Sequence, residues 1–169
     1  MPRKRSLRKI NVGVEKWPSD RSRIGKKLLK YGGRWGWRRF GLKDIVISAQ
    51  NALLSEAIGR ALCQRGQFRC QQVAPGRPQE IVSVSRTLQA DVVLMEVNRF
   101  PAATLEKRLE TGDKLRRMLP GCRIVLLCDE VADPELAERV MAARQLGQID
   151  GFFYASVSAS YLSAALEAM

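Results

Sequence analysis

Histidine is absent from the sequence. Without it, the chain cannot use histidine as a general acid or base, activate a serine or cysteine nucleophile with an imidazole, or bind a metal through histidine nitrogens. Several large enzyme classes are thereby excluded, and we expect a protein that is not an enzyme.

The sequence also has no CxxC pair, no secretory signal and no apolar run near the ~18–20 residues of a membrane-spanning helix. Its four cysteines, Cys63, Cys70, Cys122 and Cys128, are scattered along the chain. We therefore expect reduced thiols in a cytoplasmic protein.

Acidic residues are scarce at the beginning of the chain. Residues 1–41 hold 2 Asp or Glu and 14 Lys or Arg, whereas residues 42–169 hold 15 of each. The whole net charge of +12 therefore belongs to the first 41 residues. This change predicts a basic, mostly extended arm over residues 1–41 and a separate domain over residues 43–169.

The basic arm contains all three tryptophans, in part within the stretch "YGGRWGWRRFG". Cationic side chains neutralise phosphates and aromatic rings stack on bases, so this stretch is typical of nucleic-acid binding. Basic tails also bind anionic lipid or acidic proteins. A leader added by translation from an upstream start codon is a further interpretation. The candidate nucleic-acid contacts are Arg34, Trp35, Trp37, Arg38 and Arg39.

From residue 43 onward, short apolar runs alternate with segments of helical periodicity. Asn51 and Asp133 are predicted helix caps, Pro78 is predicted in a first helical turn, and Gly112 is predicted to interrupt the third helix. The predicted strands are residues 44–49, 68–74, 91–97, 122–130 and 149–156.

Five strand–helix units with continuous apolar strands predict an α/β fold. The expected architecture is a parallel, doubly wound sheet of order 2-1-3-4-5, with helices on both faces. In such a sheet, function is expected at the carboxyl ends of strands one, three, four and five.

Three segments at that edge carry a resemblance to a known family: "DVVLMEVNRFP", "RIVLLCDE" and "DGFFYAS". In order and spacing they resemble the receiver domain of bacterial response regulators, which has the CheY-like fold. The resemblance covers residues 43–169. It implies phosphoryl transfer to an aspartate, assisted by Mg²⁺, an acidic pair, a hydroxyl and a lysine.

Carried over position by position, the resemblance implies a degenerate site. The acidic pair falls on Ala49 and Gln50, and the phospho-acceptor position is Glu96. The hydroxyl position is Cys128 and the lysine position is Ala155. A receiver with these residues lacks both its metal ligands and its lysine, so the resemblance implies a pseudo-receiver with no cofactor and no metal.

Glu96 has two interpretations: a solvated strand end, or a mimic of phospho-aspartate that holds one conformational state. A new all-oxygen metal site with Asp129 and Glu130 is a minor alternative. Those two carboxylates should raise the pKa of the Cys128 thiol, which favours an inert buried cysteine. No glycine-rich phosphate loop follows the first strand, so nucleotide and flavin chemistry is rejected.

We thus expect a non-catalytic signalling module that works through a protein partner or a homodimer. The resemblance implies a contact face on the fourth helix, fifth strand and fifth helix, with Phe152, Tyr154 and Tyr161 as candidates and Phe153 as either a contact or a core residue. The alternative is a nucleic-acid-binding transcriptional regulator that uses the basic arm.

Overall fold

The computed structural model describes residues 42–64 and 66–169. Strands and helices alternate throughout this part of the chain. The strands are β1 Lys43–Ser48, β2 Phe68–Gln72, β3 Val92–Val97, β4 Arg123–Cys128 and β5 Gly151–Tyr154. The helices are α1 Ala52–Cys63, α2 Pro78–Leu88, α3 Leu105–Met118, α4 Pro134–Gln145 and α5 Ala159–Ala168.

The five strands form one parallel sheet of order β2-β1-β3-β4-β5, as the sequence predicts. β1 and β3 lie side by side in the middle of the sheet, with Ser48 opposite Met95. β2 and β5 are the two edge strands. All carboxyl ends point the same way, so the loops after β1, β3, β4 and β5 meet at one edge.

Two apolar layers cover the sheet. One contains side chains from α2, α3 and α4, such as Ile81, Leu115 and Val140. The other contains side chains from α1 and α5, such as Leu62 and Leu166. Successive residues of a strand face opposite layers, which is why the central strands are continuously apolar.

The predicted helix starts are confirmed. The Asn51 side chain accepts hydrogen bonds from the backbone N–H groups of Leu53 and Leu54, and Asp133 accepts one from Leu136. Pro78 is the first residue of α2, where its missing N–H has no helical partner to lose.

The predicted interruption at Gly112 is wrong, because α3 continues through it from Leu105 to Met118. A Cβ atom at Gly112 would lie 3.3 Å from Cγ2 of Ile124 in β4. The glycine therefore lets the helix approach the sheet closely. This packing outweighs the ~1 kcal/mol that glycine costs in a helix.

No helix within residues 42–64 and 66–169 is long and apolar enough to cross a membrane. The basic arm, residues 1–41, lies outside the described residues.

Candidate functional site

The positions implied by the receiver resemblance all lie at the carboxyl edge of the sheet. Glu96 is the next-to-last residue of β3, Cys128 is the last of β4, and Ala155 follows the end of β5. Ala49 and Gln50 follow β1. Backbone hydrogen bonds join neighbouring positions: the Ala155 N–H donates to the Cys128 carbonyl at 2.8 Å.

Glu96 is half-buried, and each of its carboxylate oxygens accepts a hydrogen bond. Its Oε2 accepts a hydrogen bond from the Gln50 backbone N–H at 2.5 Å, and its Oε1 accepts one from Asn98 Nδ2 at 3.3 Å. The carboxylate thus links the end of β3 to the loop after β1. Its role in this fold is a charged acceptor for backbone and amide donors.

The two positions after β1 carry no carboxylate. Ala49 is buried, with 7% of its surface exposed, and Gln50 reaches Glu96 only through its backbone. Divalent cations such as Mg²⁺ need oxygen ligands. Of these three positions, Glu96 alone offers a carboxylate to a metal ion, and that carboxylate already accepts two hydrogen bonds.

Cys128 occupies the hydroxyl position but turns inward. It is 1% exposed, and its thiol lies 3.8 Å from the Phe153 carbonyl oxygen. Burial, together with the charges of Glu130 and Asp129, raises the pKa of this thiol to about 11. The predicted direction is confirmed, although burial contributes more than the two carboxylates. A thiol of this kind is protonated at neutral pH and weakly nucleophilic.

At the lysine position, Ala155 is exposed and brings no charge. The next residue, Ser156, donates a hydrogen bond to Glu130 Oε1 from the loop after β4. The other carboxylate oxygen of Glu130 is buried and has no hydrogen-bond partner among the described residues.

The alternative metal site is not assembled. Asp129 caps its own loop, accepting hydrogen bonds from the N–H groups of Val131 and Ala132 at 3.0 and 2.9 Å. Within the described part of the chain, no group of three Cys, Asp or Glu side chains is placed to hold a metal ion.

The Arg108 side chain extends from α3 to the ends of β1 and β3. This contact was not predicted from the sequence. The Arg108 side chain is 1% exposed. Nε donates to the Glu96 carbonyl oxygen at 2.9 Å and Nη1 donates to Ser48 Oγ at 3.3 Å, while Nη2 has no partner among the described residues. The guanidinium therefore joins the ends of β1 and β3 on the sheet face opposite the Glu96 carboxylate.

Burial lowers the pKa of Arg108 to about 10, and the charge of Glu96 acts in the opposite direction. The guanidinium is thus still a cation at neutral pH. A buried cation costs free energy unless other groups satisfy it. Arg108 supplies positive charge from α3 at the carboxyl edge of the sheet, called the switch edge below, whereas the receiver resemblance places a positive charge after β5.

The sequence did contain a signal for Arg108. The buried residues of α3 recur at spacings of three or four and so form one row along the helix: Leu105, Arg108, Thr111, Gly112 and Leu115. A charged residue in the apolar row of a helix predicts a buried cation with a specific partner.

The candidate contact residues divide into two groups. Tyr154 is 37% exposed and Tyr161 is 62% exposed, so both remain available to a partner. Phe152 is half-buried against the α4 side of the core, and its ring meets that of Tyr154 edge-on at 5.5 Å. Phe153 is buried and meets Tyr161 at 6.3 Å, so it is a core residue that supports the surface tyrosine.

The candidate nucleic-acid contacts, Arg34, Trp35, Trp37, Arg38 and Arg39, lie outside the described residues and stay a prediction.

No family model matches the sequence, and no curated protein is significantly similar to it. Solved structures do match. The receiver domain of AraT, a response regulator from Geobacillus stearothermophilus, is 14% identical over 75% of this chain and 94% of its own, with a TM-score of 0.58. The signal receiver domain of NarL from Mycobacterium tuberculosis is 19% identical over 74% and 93%, with a TM-score of 0.57.

The same fold also occurs in a Burkholderia pseudomallei protein described as related to pilus assembly. It is 15% identical over 76% of this chain and 89% of its own, with a TM-score of 0.54. At such low identity these likenesses concern the fold alone. Strand order, helix placement and neighbouring structures agree that residues 42–169 have the fold of the response-regulator receiver domain.

Proposed function

We propose that this chain is a non-catalytic signalling module, a pseudo-receiver that lacks the phosphorylation site and acts through protein contacts. The observation that carries the proposal is the engagement of Glu96. Both of its carboxylate oxygens accept hydrogen bonds from this chain's own donors, at the position where the receiver resemblance implies a free phospho-acceptor.

The groups around Glu96 support the same conclusion. Phosphoryl transfer concentrates negative charge, which a metal ion and a lysine would have to stabilise. Ala49 and Gln50 offer no carboxylate for the metal, and Ala155 offers no cation. Arg108 is the nearby positive charge, but it is 1% exposed and donates to the Glu96 backbone and Ser48.

In this arrangement Glu96 and Arg108 both connect parts of the carboxyl edge. The Glu96 carboxylate binds the loop after β1 through the Gln50 N–H. The Arg108 guanidinium connects β3 to β1 by donating to the Glu96 carbonyl and to Ser48 Oγ. The switch edge is thereby tied together without a metal or a phosphoryl group. We infer that the domain is held in a single state that its partner recognises.

Acetyl phosphate tests the missing chemistry. Wild-type protein incubated with acetyl phosphate and Mg²⁺ is expected to keep its unmodified intact mass, because Ala49 and Gln50 offer no carboxylate for the metal and Ala155 offers no cation for the phosphoryl group. A phosphorylatable receiver domain in the same mixture is the positive control. Gain of one phosphoryl group by the wild type, lost again in Glu96→Gln, would overturn the proposal.

The contact face that we propose is the sheet edge formed by α4, β5 and α5. Among the described residues, β5 pairs with β4 alone, so its other side has no neighbouring strand in that part of the chain. Exposed apolar or aromatic side chains occur on each element: Met141 on α4, Tyr154 on β5 and Tyr161 on α5. Tyrosine is enriched in the central residues of protein interfaces because it buries a large ring and keeps a polar end.

Paired substitutions test this face. If the partner is a second copy, Tyr154→Ser combined with Tyr161→Ser should weaken self-association in sedimentation velocity by about tenfold or more, since each lost interface tyrosine typically costs over 1 kcal/mol. Leu53→Ser with Val131→Ser is the control, because those residues are 76% and 84% exposed but lie on α1 and in the loop after β4. Equal weakening in both variants would contradict the assignment of the face.

A second candidate function is nucleic-acid binding by the basic arm. It is favoured by the placement of charge: residues 1–41 hold the entire excess of +12, and residues 42–169 are neutral. In this scheme the arm supplies phosphate contacts while the receiver-like domain supplies assembly, in a cytoplasmic regulator. Affinity of this origin falls steeply with salt.

A further inference from the structure

Two of the four cysteines come together away from the switch edge. Cys63 is the last residue of α1 and is exposed, and Cys70 is the central residue of β2 and is half-buried. Only four residues connect the end of α1 to the start of β2. The helix therefore returns directly over the strand that follows it.

The packing of α1 on β2 places the two thiols on facing surfaces. Cys70 packs against the apolar layer that α1 and α5 share. A Cβ atom at Gly59 would lie 3.9 Å from the Cys70 Cβ, so the backbone of α1 passes just above Cys70. Cys63 lies four residues beyond Gly59, one turn along the same helix face.

The Cys63 thiol acts on the Cys70 thiol. Burial first, and then the nearby Cys63 thiol, raise the pKa of the Cys70 thiol to about 12. A disulfide needs Cβ atoms about 3.5–4.5 Å apart. A Cβ atom at Gly59, on the helix face that carries Cys63, would lie 3.9 Å from the Cys70 Cβ. We propose that Cys63 and Cys70 are a redox-modification site, which an oxidant of the peroxide class converts to an intramolecular disulfide.

The chemistry takes two steps and consumes one peroxide. The Cys63 thiol releases its proton, and the thiolate attacks one oxygen of hydrogen peroxide; the O–O bond breaks to give a sulfenic acid and hydroxide, which takes up that proton and becomes one water. The Cys70 sulfur then attacks the Cys63 sulfur, the sulfenic hydroxyl leaves, and with the Cys70 proton it becomes a second water. Two thiols lose two electrons in total, and these reduce the peroxide. Cys63 reacts first because it is the exposed member.

The other two cysteines, Cys122 and Cys128, are poorly accessible to an oxidant. Cys122 is 4% exposed and Cys128 is 1% exposed, and both belong to the layer on the opposite face of the sheet. Burial is also the main cause that raises the pKa of the Cys122 thiol to about 12. The disulfide would tie the end of α1 to the edge strand β2, at the opposite side of the sheet from the proposed contact face on β5.

Mass spectrometry of the oxidised full-length protein tests the proposal. Hydrogen peroxide should lower the intact mass of the wild type by two hydrogens, and non-reducing peptide mapping should find Cys63 joined to Cys70. Cys63→Ser should abolish the mass loss. Cys70→Ser should leave a Cys63 sulfenic acid that dimedone labels. Cys122→Ser with Cys128→Ser is the matched control and should form the disulfide as the wild type does.

The pH dependence of ring closure is a second measurement. Because the attacking Cys70 thiol has a raised pKa, closure after peroxide treatment should accelerate as the pH rises from neutral. A wild type that collects oxygen on Cys63 with no loss of two hydrogens would overturn the proposal. So would a bond that is found only between two chains.

Discussion

At the scale of single residues, Arg108 is a buried cation, and burying a charge costs free energy. A guanidinium that is 1% exposed has given up its water, and its hydrogen-bond partners are a backbone carbonyl and a hydroxyl. Its pKa of about 10 reflects that loss. The charge persists at neutral pH because Nε and Nη1 are bonded and the negative charge of Glu96 favours the cation.

Replacing Arg108 tests whether it stabilises the switch edge. Arg108→Met keeps the long apolar stem but leaves the Glu96 carbonyl and the Ser48 hydroxyl without a donor. Groups of this kind cost about 1–3 kcal/mol when they are buried unpaired, so urea unfolding should show a loss of that size. Arg86→Met, an exposed change on α2, should stay within about 0.5 kcal/mol of the wild type.

Equal or greater stability in Arg108→Met would contradict this role. It would mean that desolvation of the guanidinium costs more free energy than its two hydrogen bonds return, as occurs for some buried ions.

At the scale of elements, the start of α4 combines three stabilising features in one side chain. Asp133 accepts a hydrogen bond from the Leu136 N–H, lies at the positive end of the helix, and forms a two-point ion pair with Arg99 from the loop after β3. Arg99 is the largest cause that holds the pKa of Asp133 down at about 2. The ion pair connects two loops of the switch edge.

The depressed pKa makes stability depend on pH. The folded-state pKa of about 2 lies below the reference value of 3.8, so the unfolded chain binds the proton more readily. Asp133 therefore contributes its full stabilisation above pH 3.8, and this contribution disappears as the pH falls toward 2. In urea unfolding, Asp133→Asn should be less stable than the wild type at pH 7, and the difference should shrink from pH 5 to pH 2.

Glu138→Gln, an exposed change on α4, is the control for Asp133→Asn. A difference between Asp133→Asn and the wild type that stays constant over this pH range would show that the ion pair with Arg99 contributes little. The hydrogen bond to Leu136 would then account for the cap, because asparagine preserves it.

Elements defined by local chemistry could be predicted from the sequence, whereas those defined by packing could not. Asn51, Pro78 and Asp133 act within their own helices, so their roles follow from residue type and position. Gly112 depends on Ile124, which lies in another element.

The candidate site divides in the same way. The positions of Glu96, Cys128 and Ala155 at the strand ends follow from strand order and could be predicted. The partners of Glu96 could not. Its bond to the Gln50 N–H depends on how the loop after β1 closes, and the approach of Arg108 depends on how α3 packs on the sheet.

For the molecule as a whole, charge is separated along the chain. Residues 42–169 are neutral and much of their surface charge is paired, as in Arg60–Glu56 and Arg139–Glu106. Residues 1–41 carry +12. If nucleic acid binds, the counterions it releases should therefore come almost entirely from contacts with the basic arm.

The salt dependence of binding locates those contacts. For full-length protein on duplex DNA, each phosphate contact contributes about −0.9 to the slope of log affinity against log salt. Replacing Arg34, Arg38 and Arg39 together with alanine should make the slope shallower by up to about 2.7, as measured by fluorescence anisotropy.

Replacing Arg60, Arg77 and Arg86, which are exposed on the domain, removes the same charge and should leave the slope unchanged. Equal changes in the two triple variants would mean that DNA senses only net charge, and an unchanged slope in the first would exclude these three arginines as phosphate contacts.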